Sequence, residues 1–228
     1  MITRNRGDGV MPPVHYRRTV TKDASSTRQR GAAATRSGKH TRQLILDAAA
    51  EVMFRDGYAG TKLADIAEIA GIRAPAIYRH FPSRDDLVDE VMTVGHRRFI
   101  EHVTSVIDAL PPTATPLDRI LAAVAGHLEV ALTISHYAAA STRNMSQMPD
   151  DIRERQQELR REYGAIWRQH LTEAAEAGQL QPDLNLYAAQ GLIIGALSWA
   201  NEWWDPERQN LQAVIRNAQD LVRNGIGR

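Results

Sequence analysis

Apolar positions recur at steps of three and four along the chain, the spacing that puts one face of an α-helix against a core. Leu44, Ile45, Ala48, Ala49, Val52 and Phe54 predict a first helix over about Thr41–Asp56, ended by Gly57. Leu63, Ile66, Ala67 and Ala70 give a second, short helix an inward face, while Lys62, Asp65 and Glu68 point outward and Thr61 stands where a cap is needed. Gly71 follows the last apolar position, where a left-handed turn is cheapest without a Cβ. A third helix starts at Pro75, whose fixed φ suits the first helical position, with Ile72, Ile77 and Phe81 as its anchors. Ser83 then caps a long helix with Asp85 and Asp86 in its first turn, continuing past Met92 toward Ile107.

From Pro111 onward the pattern stays helical and carries no strand signal. Pro116 opens a helix through Leu117, Ile120, Leu121, Val124, Leu128 and Leu132. Pro149 and Asp150 start a charged helix that ends at Gly178, with Ile152, Leu159, Tyr163, Ile166 and Leu171 as its buried stripe. Asp183 leads into LNLYAAQGLIIGALSWANEWW, the most apolar segment, and Pro206 opens a last amphipathic helix with Leu211, Val214, Ile215, Ala218, Leu221 and Val222. The fold class is all-α.

The short helices around Gly71 leave Arg73, Ala74, Ala76, Tyr78, Arg79 and His80 on the outer side. Two helices joined by a Gly-centred turn and exposing basic and aromatic groups have the architecture of a helix-turn-helix that reads DNA in the major groove. An ordinary helical hairpin with a solvated basic face fits the same pattern.

The segment KHTRQLILDAAAEVMFRDGYAGTKLADIAEIAGIRAPAIYRHFPSRDDLVDEVM resembles the N-terminal DNA-binding domain of the tetracycline-repressor (TetR) family along its whole length. The resemblance rests on the order and spacing of Gly57-Tyr58, Thr61, Asp65-Ile66-Ala67, Gly71, Ile77-Tyr78, His80-Phe81 and Leu87 after Ser83. It implies a three-helix DNA-binding domain over 39–84 and a helical effector-binding and dimerisation domain over 85–228. Base reading then falls to Arg73, Ala74, Ala76, Tyr78, Arg79 and His80, with Thr61, Lys62 and Arg84 on phosphates. Arg73 and Ala76 stand where the family commonly has a capping Ser and a small polar residue, which points to an Arg–guanine contact and methyl contact with thymine.

Composition narrows the alternatives. The 228 residues are 43% hydrophobic, enough for a core, and hold no Cys, which excludes disulfides, thiolate metal sites and a Cys nucleophile. No apolar run is long enough to span a bilayer, and the polar, Arg-rich N-terminus lacks an apolar signal region, so the expectation is a soluble cytoplasmic protein. Net charge is only +1, but residues 1–38 carry eight Lys or Arg against two Asp, a net +6 that leaves the body at −5. A basic segment rich in Gly, Ser, Thr and Ala reads as a flexible arm that meets a polyanion, spanning roughly 35 Å. A leader preceding a true start at Val10 or Met11 fits equally well.

In the apolar segment, Ala188, Gly191, Gly195 and Ser198 permit close approach of another helix. The resemblance implies that the last two helices pair with those of a second subunit, bringing in Leu211, Val214, Ala218 and Leu221. Packing within one chain is the plainer use of Gly191 and Gly195. A homodimer sets two recognition helices on one pseudo-palindromic operator. The resemblance also implies an effector cavity among the middle helices. Leu121, Val124, Leu128, Tyr137, Met145, Met148, Tyr163, Ile166, Trp167 and Trp199 supply an apolar lining for a small hydrophobic effector, or plain core. The second half is similar to the subgroup whose effectors are acyl-CoA or steroid-derived CoA esters. Arg153, Arg155, Arg160, Arg161 and Arg168 suit CoA phosphates, or a solvated helix face. His96, His102, His127, His136 and His170 form no metal-binding or catalytic spacing, and no cofactor loop is present. The reading is a ligand-released transcriptional repressor that is not an enzyme and needs no cofactor; the alternatives are a small all-α enzyme or carrier, and a regulator without a small effector.

Overall fold

A computed structural model describes residues 24–134 and 136–228, with side chains from Gly38 onward apart from a few within 134–145. The basic segment 1–23 and the side chain of Met145 lie outside the described residues. The chain divides into two units, 1–39 and 40–228. The described backbone of the first unit is helical from Ala24, upstream of the expected start near Thr41 and inside the stretch expected to be a flexible arm. Ala32, Ala33, Ala34, Gln29 and the interspersed Arg residues are all strong helix formers, and their summed propensity extends the helix.

Eleven helical segments follow one another among the described residues. Helix α1 spans Ala24–Gly60 with a break at Gly57, whose φ of 72° is left-handed. α2 is Leu63–Ile69, and a six-residue 3-10 segment, Ala74–Arg79, takes the place of the third helix expected from Pro75. α3 (Arg84–Asp108) is capped by Ser83, whose side chain accepts from the Asp86 backbone N–H at 3.0 Å, as the sequence requires. α4 (Pro116–Glu129) carries a complete capping box between Thr115 and Asp118 and runs into a π turn, Val130–Ile134. Then come α5 (His136–Asn144), a 3-10 turn at Met145–Gln147, α6 (Asp150–Glu176), α7 (Leu186–Trp203) and α8 (Leu211–Ile226).

The last helix starts later than Pro206. Asn210 is the better cap, because its side-chain oxygen accepts from both the Gln212 and Ala213 backbone N–H groups, and Pro206 stays in the preceding loop. Among the described residues a single antiparallel bridge, Leu180 to Gly227, ties the stretch after α6 to the stretch after α8.

Two apolar cores form in the second unit. One gathers Ile45, Val52, Met53, Ile66, Ile77, Phe81, Leu87 and Met92, and takes Tyr137, Ala140, Met148 and Ile152 from α5, α6 and the turn between them. The other is built from α3, α4, α6, α7 and α8 around Phe99, Val124, Leu128, Trp167, Leu171, Ile193 and Val214. Long α3 contributes to both, so its two ends are anchored in different cores. Among the described residues no helix is long and apolar enough to cross a membrane.

Candidate DNA interface and effector cavity

The turn between α2 and the 3-10 segment forms as the sequence demands. Gly71 adopts φ 66°, and the Ile72 N–H donates to Ala67 O at 3.0 Å, closing the turn. Ile77 and Phe81 are buried and Ile72 is half-buried, which fixes the opposite side outward. There Arg73, Tyr78 and Arg79 are exposed, Tyr78 by 57%, and Ala74, Ala76 and His80 are partly exposed. Phe81 is also covered by the Arg42 guanidinium at 4.6 Å, and Arg42 forms a two-pronged ion pair with Glu90 of α3.

Three residues expected at the DNA backbone divide. Lys62 is exposed and is itself the N-cap of α2, in extended conformation and without a side-chain cap bond. Thr61 is therefore not the cap. It is 3% exposed, and its hydroxyl donates to Gly57 O at 2.7 Å, so it closes the break within α1 instead of facing a phosphate. Arg84 is similarly committed: its Nε donates to Thr61 O at 2.9 Å, a second nitrogen donates to Tyr58 O, and the guanidinium lies 4.3 Å over the Tyr58 ring. Both were attractive on position alone; the carbonyls freed where helix α1 breaks at Gly57 are what draw them inward.

A cavity of about 610 Å³ opens between α3, α4, α6 and α7. Its wall includes His96 and Phe99 from α3, His127 from α4, Tyr163, Gly164, Arg160, Arg161 and Arg168 from α6, and Gln190, Ile194 and Ser198 from α7. Gly164 keeps room for the wall: a Cβ there would stand 3.0 Å from Gln190 Nε2. Tyr163 Oη lies 2.7 Å from His127 Nδ1, and Ser198 Oγ lies 3.3 Å from His127 Nε2. Burial pushes the His127 pKa down to about 3, so the ring is neutral and a weak base. Burial also lowers the pKa of His96, whose Nδ1 is 2.9 Å from Met92 O, and raises that of Tyr163. Arg161 pairs with Glu158 at 2.8 Å, whereas Arg160 and Arg168 have no ion-pair partner among the described residues.

Among the described residues, Tyr163 is the one member of the expected apolar lining that reaches this cavity, and Arg160, Arg161 and Arg168 of the expected cations line it as well. Leu121, Val124 and Trp167 are buried in the core, and Leu128 and Ile166 border other clefts, Leu128 one between α7 and α8. Tyr137 faces a separate cleft beside Asp47 and Arg98, and Trp199 is 65% exposed on the outer face of α7. Long apolar side chains go to the core first, so hydrophobicity alone could not select the cavity. The signal missed was polarity out of place: His127 sits in the otherwise apolar run LAAVAGHL, where a ring nitrogen needs partners.

The outer face of α7 and α8 leaves Leu192, Trp199 and Leu221 at least 65% exposed, together with Ala188, while Tyr187, Gly191 and Gly195, also exposed, stand at the cavity wall. A Cβ at Gly191 or Gly195 would meet nothing within 4 Å, so these glycines do not serve packing within the chain. Ser198, Leu211 and Ala218 are half-buried beside this face, while Val214 belongs to the core and is not free for a partner. Among the described residues no group of three His, Asp or Glu side chains could hold a metal.

The arrangement is that of a small DNA-binding head carried on a helical body with a cavity open to one side. Residues 45–91 match the family described as bacterial regulatory proteins, tetR family, and residues 113–226 match a tetracyclin repressor-like C-terminal domain. The chain belongs to the TetR family of DNA-binding transcriptional regulators. It is 23% identical over 184 residues to the fatty acid metabolism regulator protein of Bacillus subtilis, covering 80% of this chain and 93% of that protein. The crystal structure of the FadR regulator from Bacillus subtilis in complex with stearoyl-CoA is similar at a TM-score of 0.66 and 24% identity, covering 81% of this chain and 98% of that one. AibR, solved with isovaleryl coenzyme A and operator DNA, is similar at a TM-score of 0.71 and 20% identity, covering 80% and 96% of the two chains.

Proposed function

We propose that this regulator is a homodimeric repressor released from a pseudo-palindromic operator when a CoA ester with a hydrophobic acyl group occupies the cavity between α3, α4, α6 and α7. The observation that carries the reading is the joining, in one cavity of about 610 Å³, of Phe99 and Ile194 with the unpaired cations Arg160 and Arg168. An apolar body and an anionic head are both served there, and relatives of similar fold are solved with CoA esters. The exposed face of α7 and α8 supports the dimer, and exposed Arg73, Tyr78 and Arg79 support base reading.

Release follows from geometry. Two recognition segments fit successive major grooves only with centres about 34–36 Å apart, or a further whole turn. α3 carries the head at one end and walls the cavity with His96 and Phe99. An occupant that wedges α6 and α7 away from α3 alters that spacing, and releases DNA to the extent that it prefers the released state. A thousandfold release needs about 4 kcal/mol of differential affinity. The test is operator binding by fluorescence anisotropy during titration with acyl-CoA esters of graded chain length. Loss of binding in step with a change in tryptophan emission supports the reading; intact binding at saturating ester overturns the effector class.

A further inference from the structure

The polar chain Ser198–His127–Tyr163, with His127 and Tyr163 buried and Ser198 half-buried, has more hydrogens to donate than places to put them. Its two links are His127 Nδ1 to Tyr163 Oη at 2.7 Å and His127 Nε2 to Ser198 Oγ at 3.3 Å. A neutral imidazole brings one N–H and each hydroxyl brings one O–H, so three protons serve two links. If the Tyr163 hydroxyl donates to Nδ1, then Nε2–H donates to Ser198 and the Ser198 proton is left over. In the opposite tautomer the Tyr163 proton is left over. Neither hydroxyl has another hydrogen-bond acceptor among the described residues, and both residues line the cavity. Next door Trp167, 1% exposed and with its ring centre 6.4 Å from that of Tyr163, turns its indole N–H toward the Tyr163 hydroxyl as a further donor.

A donor left unpaired when a ligand covers this corner costs free energy that an acceptor would recover. Bare hydrocarbon filling this corner would shut the surplus proton away from water without a partner. We infer that the corner formed by Ser198, His127 and Tyr163 is a carbonyl-binding site, so that the effector is held there by an oxygen acceptor and not by its alkyl chain alone. This rests on the CoA-ester reading for the identity of the ligand. The acceptor is either the thioester carbonyl or a ketone within the acyl chain; both present the same lone pairs to the same donors.

The experiment compares three kinds of ligand of equal chain length by calorimetry: decanoyl-CoA, S-decyl-CoA, which lacks the thioester carbonyl, and oxodecanoyl-CoA esters with the ketone at successive positions. The carbonyl-bearing member that reaches the corner binds about two- to tenfold more tightly than S-decyl-CoA, the range of one neutral hydrogen bond. In the Ser198→Ala, Tyr163→Phe double variant, which keeps the ring packing, that margin closes while S-decyl-CoA binds as before. Tighter binding of decanoyl-CoA assigns the thioester oxygen; tighter binding of only an oxo ester assigns the chain ketone. Equal affinity of all ligands for the unaltered protein, or a margin that survives in the double variant, overturns the carbonyl site and leaves the CoA-ester reading standing. Binding of none of them overturns both.

Discussion

Asn144 Oδ1 accepts a 2.7 Å hydrogen bond from the backbone N–H of Tyr58, directly after the break at Gly57 within α1. The same side chain donates to Met53 O at 3.2 Å and to Ala140 O at 2.9 Å, so one fully buried amide on α5 holds the turn leading into the DNA-binding head. Tyr137, also on α5, donates to Asp47 of α1 at 2.8 Å. α5 is thereby bound to the head by polar contacts as well as by the shared core.

Asn144→Leu keeps the volume and leaves the Tyr58 N–H and Met53 carbonyl without this partner. Each unsatisfied buried group costs about 1–3 kcal/mol, so the variant loses roughly 2 kcal/mol or more of stability. Amide exchange at Tyr58 accelerates accordingly. Unchanged protection of that amide would mean that the turn holds without Asn144.

Lys62 and Arg84 separate by salt dependence. Lys62→Ala removes an exposed cation beside the recognition segment, and the slope of log K against log salt falls by about 0.9 if one phosphate contact is lost. Arg84→Ala leaves the slope unchanged and lowers thermal stability instead, because its guanidinium serves Tyr58 O and Thr61 O. Arg73→Ala relaxes preference at one base position at a cost of about 1–3 kcal/mol. A reduced slope for Arg84→Ala would return that residue to the phosphate contacts.

The head was legible in the sequence because its constraints are local. Gly71 must turn left-handed, Ser83 must cap, and Ile77 and Phe81 must face inward, each decided by a few neighbouring residues. The inward turn of Thr61 and Arg84 was not legible, since it depends on carbonyls released by the break at Gly57. The cavity was still less so: Val124 and Trp167 look the same in sequence whether they fill a core or line a pocket. Ser198 and Tyr163, 35 positions apart, meet only through His127. Trp199 illustrates the reverse case, an aromatic expected inside that the helical period of α7 places outside.

Leu192 and Leu221 are exposed by 74% and 75%, a large cost for a free monomer. Leu192→Glu with Leu221→Glu introduces four carboxylates at a two-fold interface and shifts the protein to monomer in analytical ultracentrifugation. Operator affinity drops in the same variant, because one recognition segment alone spans half a site. A variant that remains dimeric places the interface elsewhere.

His127 makes stability depend on pH with a defined sign. The buried ring has a pKa of about 3 in the folded chain, against about 6.5 for an unperturbed His. Between these values the unfolded chain binds a proton that the folded chain does not, so stability is full above pH 6.5 and declines as pH falls. The decline attributable to this ring is about 1.4 kcal/mol per pH unit, or about 2 kcal/mol between pH 7 and pH 5. His96, whose pKa is also lowered by burial, acts in the same direction but is common to both proteins in the comparison with His127→Gln. Denaturant unfolding across pH 5–7 should therefore show a shallower acid decline for the Gln variant, which retains hydrogen-bonding atoms for Tyr163 and Ser198 while having no proton to gain. Parallel pH profiles for the two proteins would show that the ring is protonated in the folded state at little cost, and that the buried polar chain is wetter than its contacts indicate.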